Sequence, residues 1–223
     1  MKNNEIILTL ETSQRTLSVA LSFGNDVIAE YSCYSSNAHD KLLALYAQRL
    51  IADHLSGDFS KLNYVALSAG PGSFTGLRIG AAFAKGLCFG SEIKILAVPT
   101  LQAIALEAKS HLKSEHKRII SVLPSHKEQV YFQLFDLNST PLGDIEFENY
   151  EIFQNIITDG DFICGIIPEE LNLAATSIFP NSRIICNYAL QMIANEEFAE
   201  IETFEPIYVS EFIPKTATKK LNI

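Results

Sequence analysis

Two short runs near the front of the chain hold the residues best placed for chemistry. Glu11-Thr12-Ser13 sets one carboxylate beside two hydroxyls, and Gly70-Pro71-Gly72-Ser73-Phe74-Thr75 follows an apolar run at 62–69. A glycine turn that opens a helix, with Ser73 or Thr75 as its cap, presents free N–H groups and the positive end of the helix dipole. That is anion-binding chemistry. The spacing is neither G-x-x-x-x-G-K-[ST] nor G-x-G-x-x-G, because Pro71 and Phe74 stand where those loops need permissive backbone. Phosphate contact and plain backbone packing therefore both stay open for Gly70, Gly72, Ser73 and Thr75. For Glu11, Thr12 and Ser13 the two readings are a ligand-facing turn and a turn bonded to its own backbone. The same helix carries Gly76, Gly80 and Ala84 at four-residue intervals, a ridge that another backbone can approach closely.

Other chemistries find less support. His39, His54, His111, His116 and His126 form no H-E-x-x-H pair. His39 opens a helix, where its ring can bond locally. No serine stands in a nucleophile elbow and no cysteine has an evident base. Cys33, Cys88, Cys164 and Cys186 are far apart in apolar segments, with no C-x-x-C, and read as core thiols. A hydrolytic or metal site is hard to assemble from these parts. A net charge of −9 argues against a chain that grips nucleic acid alone. The basic clusters, Lys113 to Lys117-Arg118 and Lys215, Lys219 and Lys220, are small and read as a solvated face and tail. No apolar run approaches the roughly 18 residues that span a bilayer, and the first residues turn polar at once. A cytoplasmic protein without membrane contact is expected.

The elements that must position these residues follow from hydrophobic period and turn signals. Strands are expected at 5–11, 16–23, 27–34, 62–69 and 93–99, with a hairpin turn at Gly24-Asn25-Asp26. Helices are expected at 39–55, after the glycine turn, and at 100–114. The second half starts the same way, with strands at 118–124, 129–136, 144–149 and 161–167, a short helix at 151–157 and another at 168–176. This succession implies a duplicated α/β architecture with its junction near 110–117. Helix 39–55 carries Leu42, Leu43, Leu45, Tyr46, Ala47, Leu50, Ile51, Ala52 and Leu55, more than one apolar stripe needs. The surplus means either a helix covered on two sides within its own domain or a protein–protein surface.

The runs ILTLETSQRTLSVAL, SAGPGSFTGLRIGAAFAKGLCFG and AVPTLQAIA together resemble the TsaB (YeaZ) family, required for making threonylcarbamoyladenosine in tRNA. The match is specific over 6–105 and rests afterwards on QVYFQLFD and the terminal PIYVSEFIPK. The resemblance implies the two-domain, duplicated sugar kinase, heat-shock ATPase and actin fold with a reduced second domain. The domains would be 1–110, completed by 205–223, and 111–204. It also implies a non-catalytic scaffold that pairs with the catalytic paralogue TsaD and recruits the ATPase TsaE. Without TsaD the chain would self-associate, through helices 39–55 and 75–89 in either case, and tRNA would be met only through the complex. The contacts expected on that face are Leu42, Leu43, Tyr46, Leu50, Gly76, Ile79, Gly80 and Phe83, with Arg78 at the rim for a carboxylate or a phosphate. Gly80→Leu should then weaken assembly without unfolding the monomer.

The paralogue's metal-binding H-x-x-x-H histidines fall here on Thr100 and Ile104, which cannot hold a catalytic metal. The resemblance also implies an aspartate where Glu11 stands, and Asp-Ala-Arg where Pro124-Ser125-His126 stands, so the carboxylate pair that manages Mg-ATP in this superfamily is broken. No cofactor of its own is expected, beyond an adenine nucleotide at the shared subunit boundary held by Glu11, Thr12, Ser13, Gly70, Gly72, Ser73, Thr75 and Arg78. The competing readings are a small ATPase or peptidase-like enzyme of the same superfamily and a homodimeric binding module with its own ligand.

Overall fold

The computed structural model describes residues 5–35 and 38–209. Its strands form two five-stranded sheets. The first contains β1 (Ile6–Glu11), β2 (Leu17–Phe23), β3 (Asp26–Cys33), β4 (Tyr64–Gly70) and β5 (Lys94–Pro99), in the order β3-β2-β1-β4-β5. The second contains β6 (Arg118–Pro124), β7 (Gln129–Phe135), β8 (Glu146–Asn149), β9 (Asp161–Gly165) and β10 (Thr176–Ser177), in the order β8-β7-β6-β9-β10. In each sheet the first three strands form an antiparallel meander, and the last two run parallel to the first. One topology is therefore used twice, the duplicated α/β fold expected from the order of elements.

Helices alternate with the sheets in layers. α1 (His39–Leu55) and α2 (Phe74–Cys88) cover the outer face of the first sheet, where Leu8, Leu10, Val19 and Leu67 meet Leu43, Leu50 and Ile51 of α1 and Ala81, Ala84 and Cys88 of α2. α3 (Thr100–Ala108) and α5 (Ser182–Ala194) lie between the sheets, and α4 (Tyr150–Ile156) lies on the far side of the second, with Phe153 against Phe132 at 5.0 Å between centroids. The two central helices are exchanged: α3 follows β5 yet packs on β6 and β9, and α5 closes the second unit yet packs on β1, β4 and β5. A single core containing Ile7, Val98, Ile104, Ile119, Phe135 and Ile185 joins both halves. β1 is covered on both faces, which is why Ile7 to Glu11 are all buried.

The second half departs from the sequence reading. Residues 168–176 are not a helix. After Pro168 one 3-10 turn, Glu169–Leu171, ends at Asn172 with φ 46°, and the chain then extends into the two-residue β10. Besides α4, this half has a helix not expected from the sequence, α5, where Asn181 caps the N-terminus by accepting from Ile184 N–H at 3.1 Å. Helix 100–114 stops at Ala108 and continues only as a 3-10 turn, Lys109–His111. The chain after α5 returns to the first sheet: Ala199 bridges to Ile95, and Ile207 N–H donates to the Ala69 carbonyl at 2.7 Å. The tail with Lys215, Lys219 and Lys220, and most of the terminal PIYVSEFIPK, lies outside the described residues.

β6 and β9 are tied where they start. Arg118 Nε donates to Asp161 Oδ1 at 2.6 Å, Arg118 Nη2 to Oδ2 at 2.8 Å, and Thr158 N–H to Oδ2 at 2.7 Å. The Asp161 side chain is 1% exposed. Burial pushes its carboxyl up, but Arg118 and Thr158 outweigh that and hold it below the usual carboxylate range. Arg118→Met leaves this carboxylate buried without its cation, and urea unfolding is expected to show a loss of about 3–5 kcal/mol. Arg118→Met with Asp161→Leu should recover a large part of it.

Candidate functional site

β1 ends on Glu11, and the chain turns through residues 12–16 into β2 at the N-termini of α1 and α2. Ser73 caps α2, its Oγ accepting from Gly76 N–H at 3.3 Å, while its own N–H donates to the Ser13 carbonyl at 2.7 Å. A Cβ on Gly72 would overlap the Ser13 carbonyl, one on Gly76 the Thr12 carbonyl, and one on Gly80 the Thr12 hydroxyl. The small-residue ridge is therefore filled by the chain's own turn. Glycine is required here for close approach within the monomer.

The acidic end of β1 points inward. Glu11 has no exposure, and its Oε1 accepts from Ser13 N–H at 2.5 Å, while Oε2 accepts from no described residue. Burial raises its carboxyl from 4.5 to about 7, against the opposing bonds from Ser13, Ser68 and Gln14. Ser68 Oγ accepts from Thr12 N–H at 3.2 Å. The hydroxyls of Thr9, Thr12, Ser13 and Thr100 are also buried without a hydrogen-bond partner among the described residues. His39, 6% exposed at the start of α1, is lowered by burial against the pull of the Gln14 and Thr16 backbone.

The candidate residues divide by exposure. Glu11, Thr12, Ser13 and Gly70 are sealed inside and Gly72 is half-buried, whereas Ser73, Thr75 and Arg78 are exposed. The sealed members do not fit a phosphate. Of the amides at this helix start, Ser73 N–H is taken by the Ser13 carbonyl and Gly76 N–H by the cap, and the one charged group among the sealed residues is a buried acid. The Arg78 guanidinium lies over the Phe74 ring at 3.8 Å, and its Nε donates to Tyr208 Oη at 3.4 Å. Thr100 and Ile104 have no exposure, and among the described residues no group of three or more His, Cys, Asp or Glu could hold a metal.

The expected contact face needs correction. Leu43 and Leu50 are core residues at 2% and 0% exposure, and Gly76 and Gly80 face Thr12, so none of the four offers surface to a partner. Leu42, Tyr46, Ile79 and Phe83 stay half-buried on the outer side. Leu45, 40% exposed on α1, and Phe89, 78% exposed just after α2, were missing from the expected contacts. Leu45 was legible in the apolar surplus of its helix. Phe89 carried no periodic signal, since it lies beyond the last turn.

Two sheets of identical 3-2-1-4-5 order, joined by exchanged central helices, define a two-domain protein of the sugar kinase, heat-shock ATPase and actin class. The profile of the family described as TsaD, tRNA N6-adenosine threonylcarbamoyltransferase, matches residues 33–161. The tRNA threonylcarbamoyladenosine biosynthesis protein TsaB of Buchnera aphidicola (from Acyrthosiphon pisum) is 30% identical over 156 residues, 70% of this chain and 69% of that protein. TsaB of Bacillus subtilis is 34% identical over 141 residues, 62% of this chain and 58% of its own length. That of Escherichia coli is 30% identical over 126 residues, 56% and 53% respectively, so several matches span little more than half of the relative. Two solved structures share the fold. YeaZ from Pseudomonas aeruginosa has TM-score 0.74 and 23% identity, covering 91% of this chain and 100% of that one. A Pseudomonas aeruginosa protein described as similar to peptidase YeaZ has TM-score 0.77 and 22% identity, covering 92% and 100%. The chain belongs to the TsaB (YeaZ) family of tRNA threonylcarbamoyladenosine biosynthesis proteins.

Two outcomes test this geometry. Gly80→Leu should destabilise the isolated chain by about 3 kcal/mol in urea unfolding, because its side chain must displace Thr12. Glu11 binds its proton more tightly folded than unfolded, so the stability it confers is full below pH 4.5 and is lost as pH rises through about 7. Urea midpoints of wild type and Glu11→Gln should therefore agree at pH 4 and separate at pH 8. The variant should be the more stable there, by up to about 3 kcal/mol.

Proposed function

We propose that this chain is a non-catalytic subunit in threonylcarbamoyladenosine synthesis, and that it works by laying the outer face of α1 and α2 against a TsaD-type catalytic protein. The observation that carries this reading is a contrast within one domain. The end of the first sheet where a substrate would lie is filled by the chain's own turn, while Leu42, Leu45, Tyr46, Ile79 and Phe83 line the outer side of α1 and α2. Aromatic and aliphatic anchors beside a polar rim are the composition of an interface core. The match to a TsaD profile supports a partner built on the same plan, so each protein would bring the same helix pair to a pseudo-twofold contact. A second copy would cover that face when no such partner is present.

The chemistry supports the division of labour. Transfer of a carbamoyl group to an adenosine amine gains from a metal that polarises the acceptor carbonyl. Thr100 and Ile104, buried in the common core, offer no ligand set for one. With a net charge of −9, the chain leaves tRNA to the assembled complex. A tRNA substrate places the work in the cytoplasm. Docking of a TsaE-type ATPase would then use the joint surface, and an adenine nucleotide at the boundary would rest on Ser73, Thr75 and Arg78, the exposed members of the candidate set.

The test is co-expression with the TsaD-type protein of the same organism. Leu45→Asp combined with Phe83→Asp should weaken co-elution on gel filtration by tenfold or more, since buried anchors typically contribute about 2 kcal/mol each. Leu45→Asp alone, at an exposed position, should weaken co-elution in the same direction while its unfolding midpoint matches wild type. A variant that co-elutes as well as wild type sinks the assignment of this face.

A further inference from the structure

Between the end of β3 and the loop that enters α5 lies a groove of about 340 Å3, lined by Thr16, Glu30, Ser32, Tyr34, Phe179, Pro180 and Asn181. Its one charged group is held in place. Glu30 Oε1 accepts from Ser32 Oγ at 3.1 Å and from Ser182 Oγ at 3.0 Å, and Ser182 is fixed in turn by its N–H bond to Ser18 Oγ at 2.7 Å. The other carboxylate oxygen accepts from no described residue. Among the described residues no lysine or arginine lines the groove, and neither Arg15 nor Arg183, the cations next to Thr16 and Ser182, pairs with Glu30. Two aromatic side chains complete it, Tyr34 at 85% exposure and Phe179 at 56%, and neither rests on another ring among the described residues. Among the described residues nothing pairs with this carboxylate's second oxygen or covers the two rings.

We propose that this groove binds a guanidinium group, the side-chain end of an arginine presented by a protein partner. A guanidinium is planar, so it lies against aromatic faces while its forked N–H groups reach a carboxylate. Thr16, Ser32 and Asn181 supply further oxygen acceptors around it. The walls are too exposed to enclose a free metabolite, and the space suits the tip of a side chain whose backbone stays outside. β3 gives that backbone a place to lie: among the described residues it is the edge strand of its sheet, Glu30 and Ser32 share one side of it, and Tyr34 follows just past its end. This surface is separate from the α1 and α2 anchors, and the inference does not depend on the role proposed for them.

The experiment is an amide NMR titration of the whole chain with N-acetyl-arginine amide, beside its uncharged citrulline counterpart and free arginine. Saturable shifts confined to residues near 16, 30–34 and 179–182 are expected, in the roughly millimolar range that one charged contact and two rings support. Glu30→Gln keeps the oxygen that Ser32 and Ser182 bond, removes the charge, and should weaken binding about tenfold. Tyr34→Ala should weaken it roughly two- to fivefold. An unchanged spectrum elsewhere confirms that each variant is folded. Equal binding by the citrulline compound, or by Glu30→Gln, would overturn the proposal. So would binding of free arginine alone, which would mark a small-molecule site instead.

Discussion

The close seating of the β1–β2 turn on the glycine ridge of α2 is the contact from which the rest of this molecule follows. The Ser13 carbonyl takes the Ser73 N–H, and Gly72, Gly76 and Gly80 leave room for nothing larger than the backbone that arrives. One side of α2 is thereby committed to its own domain. Its remaining side, with Ile79 and Phe83, is turned outward beside Leu42 and Tyr46 of α1. The Ser73 and Gly76 amides of the helix start are taken up internally, while Ser73, Thr75 and Arg78 keep exposed side chains and the helix flank faces outward. A glycine at four-residue spacing thus has two opposite meanings, and only the position of the neighbouring turn decides between them.

The same contact explains the odd electrostatics of the interior. In open α/β sheets ligands lie at the carboxyl ends of the parallel strands. Here that end holds Glu11, Ser68 and Thr100, all within 1% of complete burial. If hydrogen bonding governed Glu11, the Ser13 N–H at 2.5 Å would pull its pKa down. The net shift is upward to about 7, so loss of hydration is the larger effect. The polar character of a substrate end persists, although the chain has closed over it.

The first half of the fold was legible because its signals agree with one another. Helix 39–55 was read to the residue, since its apolar period is long and it has no internal breaker. The Gly24-Asn25 turn fixes the β2–β3 register at Phe23 and Asp26. The second half was harder for physical reasons. Pro168 and a run of helix-forming residues suggest a helix, but Asn172 adopts a left-handed conformation and stops it after one turn. α5 is hard to see in the sequence because Ile184, Ile185, Cys186, Asn187 and Tyr188 have modest helix propensity, even though Asn181 stands as a sound cap. Of the candidate site, the residue types and their grouping were legible. Which way they face was not, because Gly76 and Gly80 reveal a close approach without naming what approaches.

The two units carry the mark of a shared plan at one backbone position and lose it directly afterwards. Each fourth strand ends on a glycine at positive φ, Gly70 at 111° and Gly165 at 118°, a conformation that side chains avoid. After Gly70 the chain builds the fifteen-residue α2; after Gly165 it builds only the turn Glu169–Leu171. The outer face of the second sheet is consequently covered by the short α4 and that turn, and among the described residues no second helix is set beside α4. The exchanged helices α3 and α5 bind the halves through one core, so the shortened half does not have to stand alone. Reduction was therefore tolerable in the second unit and not in the first, where removing α2 would expose Leu67, Leu8 and the whole turn after β1.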